Sequence, residues 1–246
     1  MAKPGSAECS LSQLSAGRMP PRYLRNAGTI GVAGQLKLLQ AKVAVVGAGG
    51  LGGHVIELLA RLGLGNLTVI DGDCFDETNL NRQLLASMQT MGVNKATAAA
   101  ARVAAINPEV RISPFPCRLT EESAGELLAG ADVIGDARDN YSSRRILLAA
   151  ARQLQIPVVY AAIAGFTGHI SLVLPTDPSV RQLLQQPLAE DRGVEAALGN
   201  PATTPAVAAA LQVQEVVKWI TGTGQVLSGR LLYFDLERNW FELIEL

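Results

Sequence analysis

Short apolar runs alternate with helix-like stretches through the first two thirds of the chain. The apolar runs cover 43–46, 67–70, 110–115, 133–135 and 158–161, and the helix-like stretches cover 51–62, 95–106, 121–128 and 142–154. Alternation of this kind predicts an α/β fold with a mainly parallel sheet and helices on both faces. Ligands bind such sheets at the carboxyl ends of the strands, so the residues that follow each apolar run are candidates for a site.

The pattern changes after Gly165. Residues 169–174 read as a strand, 205–220 as a helix, and 230–235 with 240–244 as a closing hairpin, so we expect antiparallel strands to extend the sheet in the C-terminal half. The irregular connection 175–204 is longer than the roughly 12–15 residues usual for structureless loops. It is either a functional segment or a surface excursion.

Composition favours one large domain. Hydrophobic residues make up 48% of the 246 residues, which is enough to bury a substantial core. We expect a flexible tail over 1–21, which is rich in Ser, Pro, Ala and Gly, and a single domain over 22–246. With a net charge of -1 the chain lacks the excess of basic residues that is usual in proteins that bind nucleic acid, so we expect no nucleic-acid partner. No apolar run reaches the roughly 18 residues of a membrane span or forms a signal peptide, so we expect a cytoplasmic protein without a membrane partner.

A glycine-rich turn follows the first apolar run. It contains Gly47, Gly49, Gly50 and Gly52 and opens the first helix, so backbone N–H groups and the positive helix end would face a phosphate. The second run ends at Asp71, at about the spacing from which an acidic residue bonds ribose hydroxyls. The pattern predicts a Rossmann-like nucleotide site. An NAD-dependent oxidoreductase shares all of these features.

Polar and cationic residues follow Asp71, and nicotinamide enzymes have no need of them. Arg82 and Lys95 offer a forked donor and a point charge, both suited to phosphate oxygens. Asn79 and Gln83 would hydrogen-bond phosphate or position Arg82. The alternative is that they cap the helix they open, or lie exposed on it. The sequence leaves two roles open for Asp73, which are support of the loop and contact with the nucleotide.

Asp139 follows the apolar run 133–135 and precedes a helix-like stretch. Its carboxylate therefore lies at the carboxyl edge of the predicted sheet, which suits a Mg²⁺ ligand beside phosphates. The alternative is a helix N-cap, a position that Asp and Asn both favour. Asn140 could provide that cap instead.

The order of these motifs resembles that of the adenylating enzymes MoeB, ThiF and HesA, bacterial relatives of the ubiquitin-activating enzymes. The resemblance covers about residues 22 to 246. It rests on the segments Arg22-Tyr-Leu-Arg25, Gly47-Ala-Gly-Gly-Leu-Gly52, Asp71-Gly-Asp73, Asn79-Leu-Asn-Arg82-Gln83, Gly92-Val-Asn-Lys95, Ile106-Asn-Pro108 and Asp139-Asn140.

The resemblance implies an ATP- and Mg²⁺-dependent adenylyltransferase that activates the C-terminal glycine of a small ubiquitin-like sulfur carrier ending in Gly-Gly. It implies a nucleotide-binding part over about 42–164, a partner-binding extension over about 165–246, and a homodimer across which Arg25 reaches the partner's ATP site. The implied catalytic residues are Arg25, Arg82, Lys95 and Asp139, the last as the Mg²⁺ ligand. The implied nucleotide-binding residues are Gly47, Gly49, Gly50, Gly52, Asp71, Asp73, Asn79, Arg82, Gln83, Lys95 and Asn140. Two alternatives within the family are a non-catalytic binding module and a tRNA-modifying relative, and the net charge does not support the second.

The chain departs from the family pattern in its cysteines. Cys9, Cys74 and Cys117 form no CxxC pair, so we expect no zinc site. In many members of the resembling family a cysteine in the crossover region, which corresponds here to residues 199–205, forms a thioester or persulfide with the activated partner. Residues 160–246 contain no cysteine, so the resemblance implies that the chemistry of this chain stops at the acyl-adenylate. Without zinc, apolar packing must hold the crossover region and the C-terminal hairpin in place. The candidate side chains for this packing are Trp219, Trp240, Phe234 and Phe241. For His54 and His169 we expect structural packing rather than catalysis.

Overall fold

The computed structural model describes residues 9–177 and 194–246, without the side chains of residues 195 and 196. The strands are β1 Lys42–Val46, β2 Asn66–Ile70, β3 Arg111–Phe115, β4 Val133–Asp136, β5 Val158–Ala164, β6 Thr167–Val173, β7 Arg230–Asp235 and β8 Trp240–Glu245. The helices are α1 Ser10–Ser15, α2 Ala27–Gln40, α3 Gly50–Leu62, α4 Lys95–Ile106, α5 Glu121–Leu128, α6 Tyr141–Gln153, α7 Glu195–Leu198 and α8 Thr203–Thr221. Short 3₁₀ helices cover Pro21–Asn26 and Glu77–Asn79.

The described strands form one sheet with the order β3-β2-β1-β4-β5-β6-β7-β8. The first five are parallel, and β6, β7 and β8 continue the sheet in antiparallel pairing. The predicted fold class, a Rossmann-like parallel sheet extended by antiparallel strands, is confirmed. Strand order reverses between β1 and β4, because β2 follows on one side of β1 and β4 lies on the other.

Alternation along β1 divides the core into two layers. Val43 and Val45 pack with α3, α4 and α8, while Ala44 and Val46 pack with α5 and α6. All four side chains are completely buried, as expected for a central parallel strand covered on both faces. Helices on both faces therefore hold β1 in place within the sheet, and this determines where the turn that follows β1 lies.

Local signals end and begin the helices that flank the site. Gly63 ends α3 in the left-handed conformation at φ +82°. Asn94 caps the start of α4 by accepting a hydrogen bond from the Thr97 N–H, and Thr120 caps α5 by accepting one from the Ser123 N–H. These caps place the starts of α4 and α5 at the carboxyl side of the sheet.

Two sequence-based expectations need correction. The predicted tail over 1–21 is wrong for residues 9–21, because α1 packs on α2 and buries Leu14; residues 1–8 lie outside the described residues. The four aromatic candidates do not share the packing of the C-terminal half. Only Phe234 is buried, whereas Trp219, Trp240 and Phe241 are 38%, 46% and 52% exposed. Most of the connection 175–204 also lies outside the described residues.

Candidate active site

A cavity of about 560 Å³ opens where the strand order reverses. Val46, the last residue of β1, pairs with Ile70 of β2 and with Asp136 of β4. The next residue of each strand therefore reaches the same edge of the sheet, where ligands of open α/β sheets bind. The cavity is lined by Gly47, Gly49, Gly50, Leu51, Asp71, Gly72, Asp73, Arg82, Gln83, Lys95, Arg118, Leu119, Thr120, Ala137, Arg138, Asp139, Asn140, Tyr141, Ser142, Ser143, Arg144, Ile146, Ala161, Ala162, Ile163 and Asn200.

The glycine turn passes too close to β4 for side chains. Gly47 has φ +101°, and a Cβ there would lie 2.5 Å from the Ala137 carbonyl oxygen. A Cβ on Gly52 would overlap the Gly47 carbonyl oxygen, so Gly52 serves close packing of α3 and is not a cavity-lining residue. The turn leads into α3, a 13-residue helix whose first N–H groups are suited to an anion.

Asp71 holds the glycine turn against the end of β2. Its Oδ2 accepts a hydrogen bond from the Ala48 N–H at 2.6 Å, and its Oδ1 accepts one from the Asp73 N–H at 2.8 Å. The residue is only 6% exposed and lines the cavity. Because a carboxylate oxygen can accept more than one hydrogen bond, Asp71 can still accept from a ribose hydroxyl.

Arg82 and Gln83 lie over the glycine turn. A Cβ on Gly50 would be 3.5 Å from Arg82 Cγ, and one on Gly49 would be 3.6 Å from Gln83 Nε2. Arg82 Nη1 donates to the Thr78 carbonyl and to Asn81 Oδ1, both at 2.9 Å. In the described parts of the chain no carboxylate lies within 4.0 Å of its guanidinium. Arg82 is therefore a cation whose charge is available to an anion in the cavity.

Lys95 and Arg118 approach Asp73 from two sides. Lys95 Nζ lies 3.7 Å from Asp73 Oδ2 and 6.0 Å from the centroid of the Phe75 ring, and Lys95 is buried. Arg118 Nη2 lies 3.4 Å from Asp73 Oδ1 on an exposed side chain. Asp73 is therefore paired with two of the cations that line the cavity beside it.

Asn140 and Asp139 divide the two roles that the sequence left open. Asn140 is the N-cap of α6, where its Oδ1 accepts a hydrogen bond from the Ser143 N–H at 3.0 Å. Asp139 Oδ1 accepts from Asn140 Nδ2 at 3.3 Å, and the Asp139 side chain is exposed at the cavity wall. Asn140, and not Asp139, therefore caps α6, and the Asp139 carboxylate lies at the cavity wall.

A buried ion pair supports the loop that carries Asp139. Arg144 Nε donates to Asp136 Oδ2 at 2.7 Å, and both side chains are buried. Arg144 Nη2 donates to the Arg138 carbonyl at 2.6 Å, and the guanidinium lies 4.7 Å from the centroid of the Tyr160 ring. Both ends of the loop 136–138 are therefore bonded to α6.

Tyr160 connects this ion pair to His169. The Tyr160 hydroxyl is hydrogen-bonded to His169 Nε2 at 2.8 Å. Burial, and after it the positive charge of Arg144, lowers the pKa of His169 to about 4. The imidazole is therefore neutral at physiological pH, and the structure gives it a packing role in the wall behind the site.

The structure brings ten of the predicted site residues into one cavity and leaves three outside. Those in the cavity are Gly47, Gly49, Gly50, Asp71, Asp73, Arg82, Gln83, Lys95, Asp139 and Asn140. Outside it, Gly52 packs within the turn, and Asn79 caps the helix Glu77–Asn79 by accepting from the Asp76 N–H. Arg25 is exposed at the end of the helix Pro21–Asn26 and does not line the cavity of its own chain.

Sequence reasoning missed three arginines and one amide of the site, Arg118, Arg138, Arg144 and Asn200, as well as the hydroxyl-bearing residues Thr120, Tyr141, Ser142 and Ser143. For Arg118 and Arg138 a signal was present, because both follow strands whose carboxyl ends reach the cavity. Asn200 lies in the long connection, and no local pattern relates it to the glycine turn. Across the described residues, no group of three or more His, Cys, Asp and Glu side chains is placed to hold a metal ion. The expected lack of zinc stays a prediction.

No helix in the described ranges 9–177 and 194–246 is long and apolar enough to cross a membrane. This finding agrees with the absence of a long apolar run in the sequence.

Comparison with known proteins shows the family to which this chain belongs. The sequence profile of the ThiF family matches residues 23–246. The chain belongs to the ThiF family. The match includes the glycine turn, the cationic segment and the whole antiparallel extension, so family membership extends to both halves of the sheet.

Two enzymes with sequence similarity along most of the chain are informative. A SAMP-activating enzyme E1 of Haloferax volcanii is 37% identical over 218 residues, covering 87% of this chain and 80% of that protein. A sulfur carrier protein adenylyltransferase of Thermus thermophilus is 37% identical over 222 residues, covering 87% of this chain and 82% of that protein. These relatives and the family match show that the chain is an adenylyltransferase, which uses ATP, and set aside the NAD-dependent alternative.

Solved structures confirm the fold. PaaA superposes with a TM-score of 0.79 at 25% identity, covering 100% of this chain and 77% of that chain. Escherichia coli MccB with ATP superposes with a TM-score of 0.76 at 24% identity, covering 92% of this chain and 71% of that chain. At this identity the likeness to MccB supports the architecture alone.

Proposed function

We propose that this protein adenylates the C-terminal glycine of a small ubiquitin-like sulfur carrier ending in Gly-Gly and releases pyrophosphate. One observation carries the proposal. The glycine turn, the cations Arg82 and Lys95, and the carboxylate of Asp139 line one cavity at the strand-order reversal. The relatives named for sulfur carriers and for SAMP activation indicate the class of acceptor.

The cavity suits ATP in size and charge. Its volume of about 560 Å³ lies within the range usual for small-molecule sites, roughly 300–1,000 Å³. The turn and the start of α3 offer N–H groups to phosphate oxygens, and Arg82 has no carboxylate partner among the described residues. Asp71 would bond the ribose, while Arg82 and Lys95 would neutralise the β- and γ-phosphates.

The donor set also suits Mg²⁺. An exposed carboxylate, that of Asp139, lies in the same cavity as the proposed phosphate cations, and Mg²⁺ prefers one or two carboxylates plus phosphate oxygens. When bound, the ion supplies positive charge to the phosphates and withdraws electrons from them. Asp139 would hold it, and the cap made by Asn140 fixes the backbone from which Asp139 projects.

The reaction needs positioning and charge rather than a proton acceptor. The terminal carboxylate, whose pKa is roughly 3.5, is ionised at neutral pH and requires no general base. One of its oxygens attacks the α-phosphorus of ATP, the new P–O bond forms, and the bond from the α-phosphorus to the bridging oxygen breaks. The electron pair leaves with pyrophosphate. Arg82 and Lys95 stabilise the charge that grows on this leaving group.

Arg25 completes the proposal if the protein is a homodimer. Its side chain is exposed and lies outside the cavity of its own chain. A two-fold dimer would bring each Arg25 to the partner's ATP site, and symmetry makes the exchange reciprocal. The proposed active unit is therefore the dimer.

The product is the carrier acyl-adenylate. Residues 160–246 contain no cysteine that could form a thioester at the crossover. Cys74 and Cys117 are exposed, but they lie on the β2 and β3 side of the sheet. Sulfur or an amine would then be supplied by another protein.

The test is exchange of labelled pyrophosphate into ATP in the presence of a panel of small ubiquitin-fold proteins ending in Gly-Gly, SAMP proteins included. We expect exchange that requires Mg²⁺ and a carrier, and calorimetry that detects ATP but not NAD. The control is each carrier without its last glycine, which should support no exchange. Lack of exchange with every carrier, or tight binding of NAD, would contradict the proposal.

A further inference from the structure

Arg138 also lines the cavity and lies in the loop between β4 and α6. Its backbone N–H donates to Asp136 Oδ1 at 3.1 Å, and its carbonyl accepts from Arg144 Nη2 at 2.6 Å. Its Nε donates to Ser143 Oγ at 2.9 Å at the start of α6. The side chain is therefore held at its backbone and at Nε, while neither Nη atom has a protein partner among the described residues.

Charge pairing distinguishes Arg138 from most other cations of the cavity. Lys95 and Arg118 face Asp73, and Arg144 is paired with Asp136. Arg138 and Arg82 have no carboxylate within 4.0 Å in the described ranges. The cavity thus has one uncompensated arginine beside the glycine turn and another beside the loop of Asp139. The proposed reaction brings two anions to this cavity, a triphosphate and a carboxylate.

Asn200, in the connection 175–204, adds a hydrogen-bond acceptor to the lining of the cavity. Its Oδ1 is buried and has no hydrogen-bond partner among the described residues, which is costly unless a ligand supplies a donor. The neighbouring Gly199 carbonyl accepts from the Gly165 N–H at 2.8 Å, and Thr204 Oγ1 donates to the Gly165 carbonyl at 2.7 Å. These bonds attach the Asn200 segment to the turn between β5 and β6.

A peptide C-terminus has the two complementary groups. Its carboxylate matches a guanidinium with free Nη atoms, and the N–H of its last residue matches an unsatisfied amide oxygen. We infer that Arg138 binds the terminal carboxylate of the carrier and that Asn200 accepts the N–H of its last glycine. This inference rests on the proposed function and names the residues that recognise the acceptor.

The test is a binding cycle by calorimetry with the protein loaded with the non-hydrolysable analogue AMPCPP. The ligands are a Gly-Gly carrier that supports exchange with the wild type and the same carrier ending in a carboxamide. The wild type should prefer the acid by about tenfold or more, because the amide removes a charge-assisted bond. Arg138→Gln should bind acid and amide alike, and Arg138→Lys should keep part of the preference. Asn200→Leu should weaken both forms by about fivefold while keeping the ratio.

The controls separate this role from folding and from ATP binding. Arg152→Gln makes the same charge change at the far end of α6, outside the cavity, and should behave as the wild type. Affinity for ATP without carrier should stay within about twofold for the Arg138 and Asn200 variants.

An unchanged acid preference in Arg138→Gln overturns the inference. Loss of ATP affinity with the preference retained also overturns it, because Arg138 would then bind phosphate. If the wild type supports no exchange with any carrier, the proposed function fails and this inference fails with it.

Discussion

Arg144 and Asp136 form a buried ion pair, with 2.7 Å between Nε and Oδ2, directly behind the loop that carries Asp139. The same guanidinium bonds the carbonyl of Arg138 and stacks on Tyr160. On the other side, Gln212 of α8 donates to the Asp136 carbonyl at 2.9 Å. The pair therefore connects β4 to α6, and the site loop depends on it.

Arg144→Leu should lower the free energy of unfolding by about 3–5 kcal/mol, because it leaves the Asp136 carboxylate buried without its partner. Urea denaturation measures this change. Arg152→Leu, an exposed position on the same helix, should change stability by less than about 0.5 kcal/mol. An Arg144 variant as stable as the wild type would show that the pair adds nothing to the fold.

Arg82→Ala should reduce carrier-dependent pyrophosphate exchange by about 10²-fold, because a charge-assisted bond to the leaving phosphates is lost in the transition state. Arg111→Ala, an exposed arginine on β3 away from the cavity, is the matched control and should keep wild-type exchange. Nearly normal exchange in the Arg82 variant would exclude Arg82 from the proposed phosphate site.

The local sequence pattern was sufficient to predict the parallel half of the sheet. Buried strands and capped helices are specified within a few residues, so β1, the glycine turn and α3 could all be recognised in the sequence. The sequence left Asn79 open between phosphate binding and capping because both use the same amide, and only the structure shows its contact with the Asp76 N–H. Asn200 could not be found because its place at the cavity depends on bonds to the turn between β5 and β6.

The hairpin shows a different limit. Aromatic content predicted that four side chains would pack the C-terminal half. However, β8 is the edge strand of the described sheet and all six of its residues are exposed, so Trp240 and Phe241 stay at the surface although Phe241 pairs with Phe234. Phe234 faces the core, and a Cβ on Gly168 would lie only 2.5 Å from its Cζ.

Phe234→Ala should accordingly cost about 3–5 kcal/mol of stability, since it removes a fully buried ring. Phe241→Ala, on the neighbouring strand and 52% exposed, is the matched control and should cost under about 1 kcal/mol in the monomer. Chemical denaturation of both variants measures the difference. Equal losses in stability would contradict the assignment of Phe234 as the aromatic anchor of the hairpin.

His169 should make the folded state sensitive to acid. Its pKa is lowered from 6.5 to about 4, so the folded protein binds this proton less readily than the unfolded chain does. Stability is therefore fully present above about pH 6.5 and is lost as the pH falls toward 4, by up to about 3 kcal/mol. His169→Gln should flatten that part of the pH profile, measured by urea unfolding at several pH values. A parallel loss in both proteins would show that other groups cause it.

The location of Arg25 outside its own cavity leads to a complementation experiment. Arg25→Ala and Asp139→Ala should each abolish exchange in a homodimer. In a hybrid dimer, one site combines the intact Asp139 of one chain with the intact Arg25 of the other, while the second site carries both defects. With random re-pairing about half of the dimers are hybrids, and each has one good site of two, so about a quarter of wild-type exchange should return.

Re-pairing must be shown independently, for example by native mass spectrometry of differently tagged chains. Mixing Asp139→Ala with Lys95→Ala provides the control, because both residues line the cavity of one chain. A hybrid of these two has a defect in each site and should recover nothing. If the Arg25 and Asp139 variants re-pair and also recover nothing, Arg25 does not act across the dimer, and the exposed arginine is only part of the surface of its own chain.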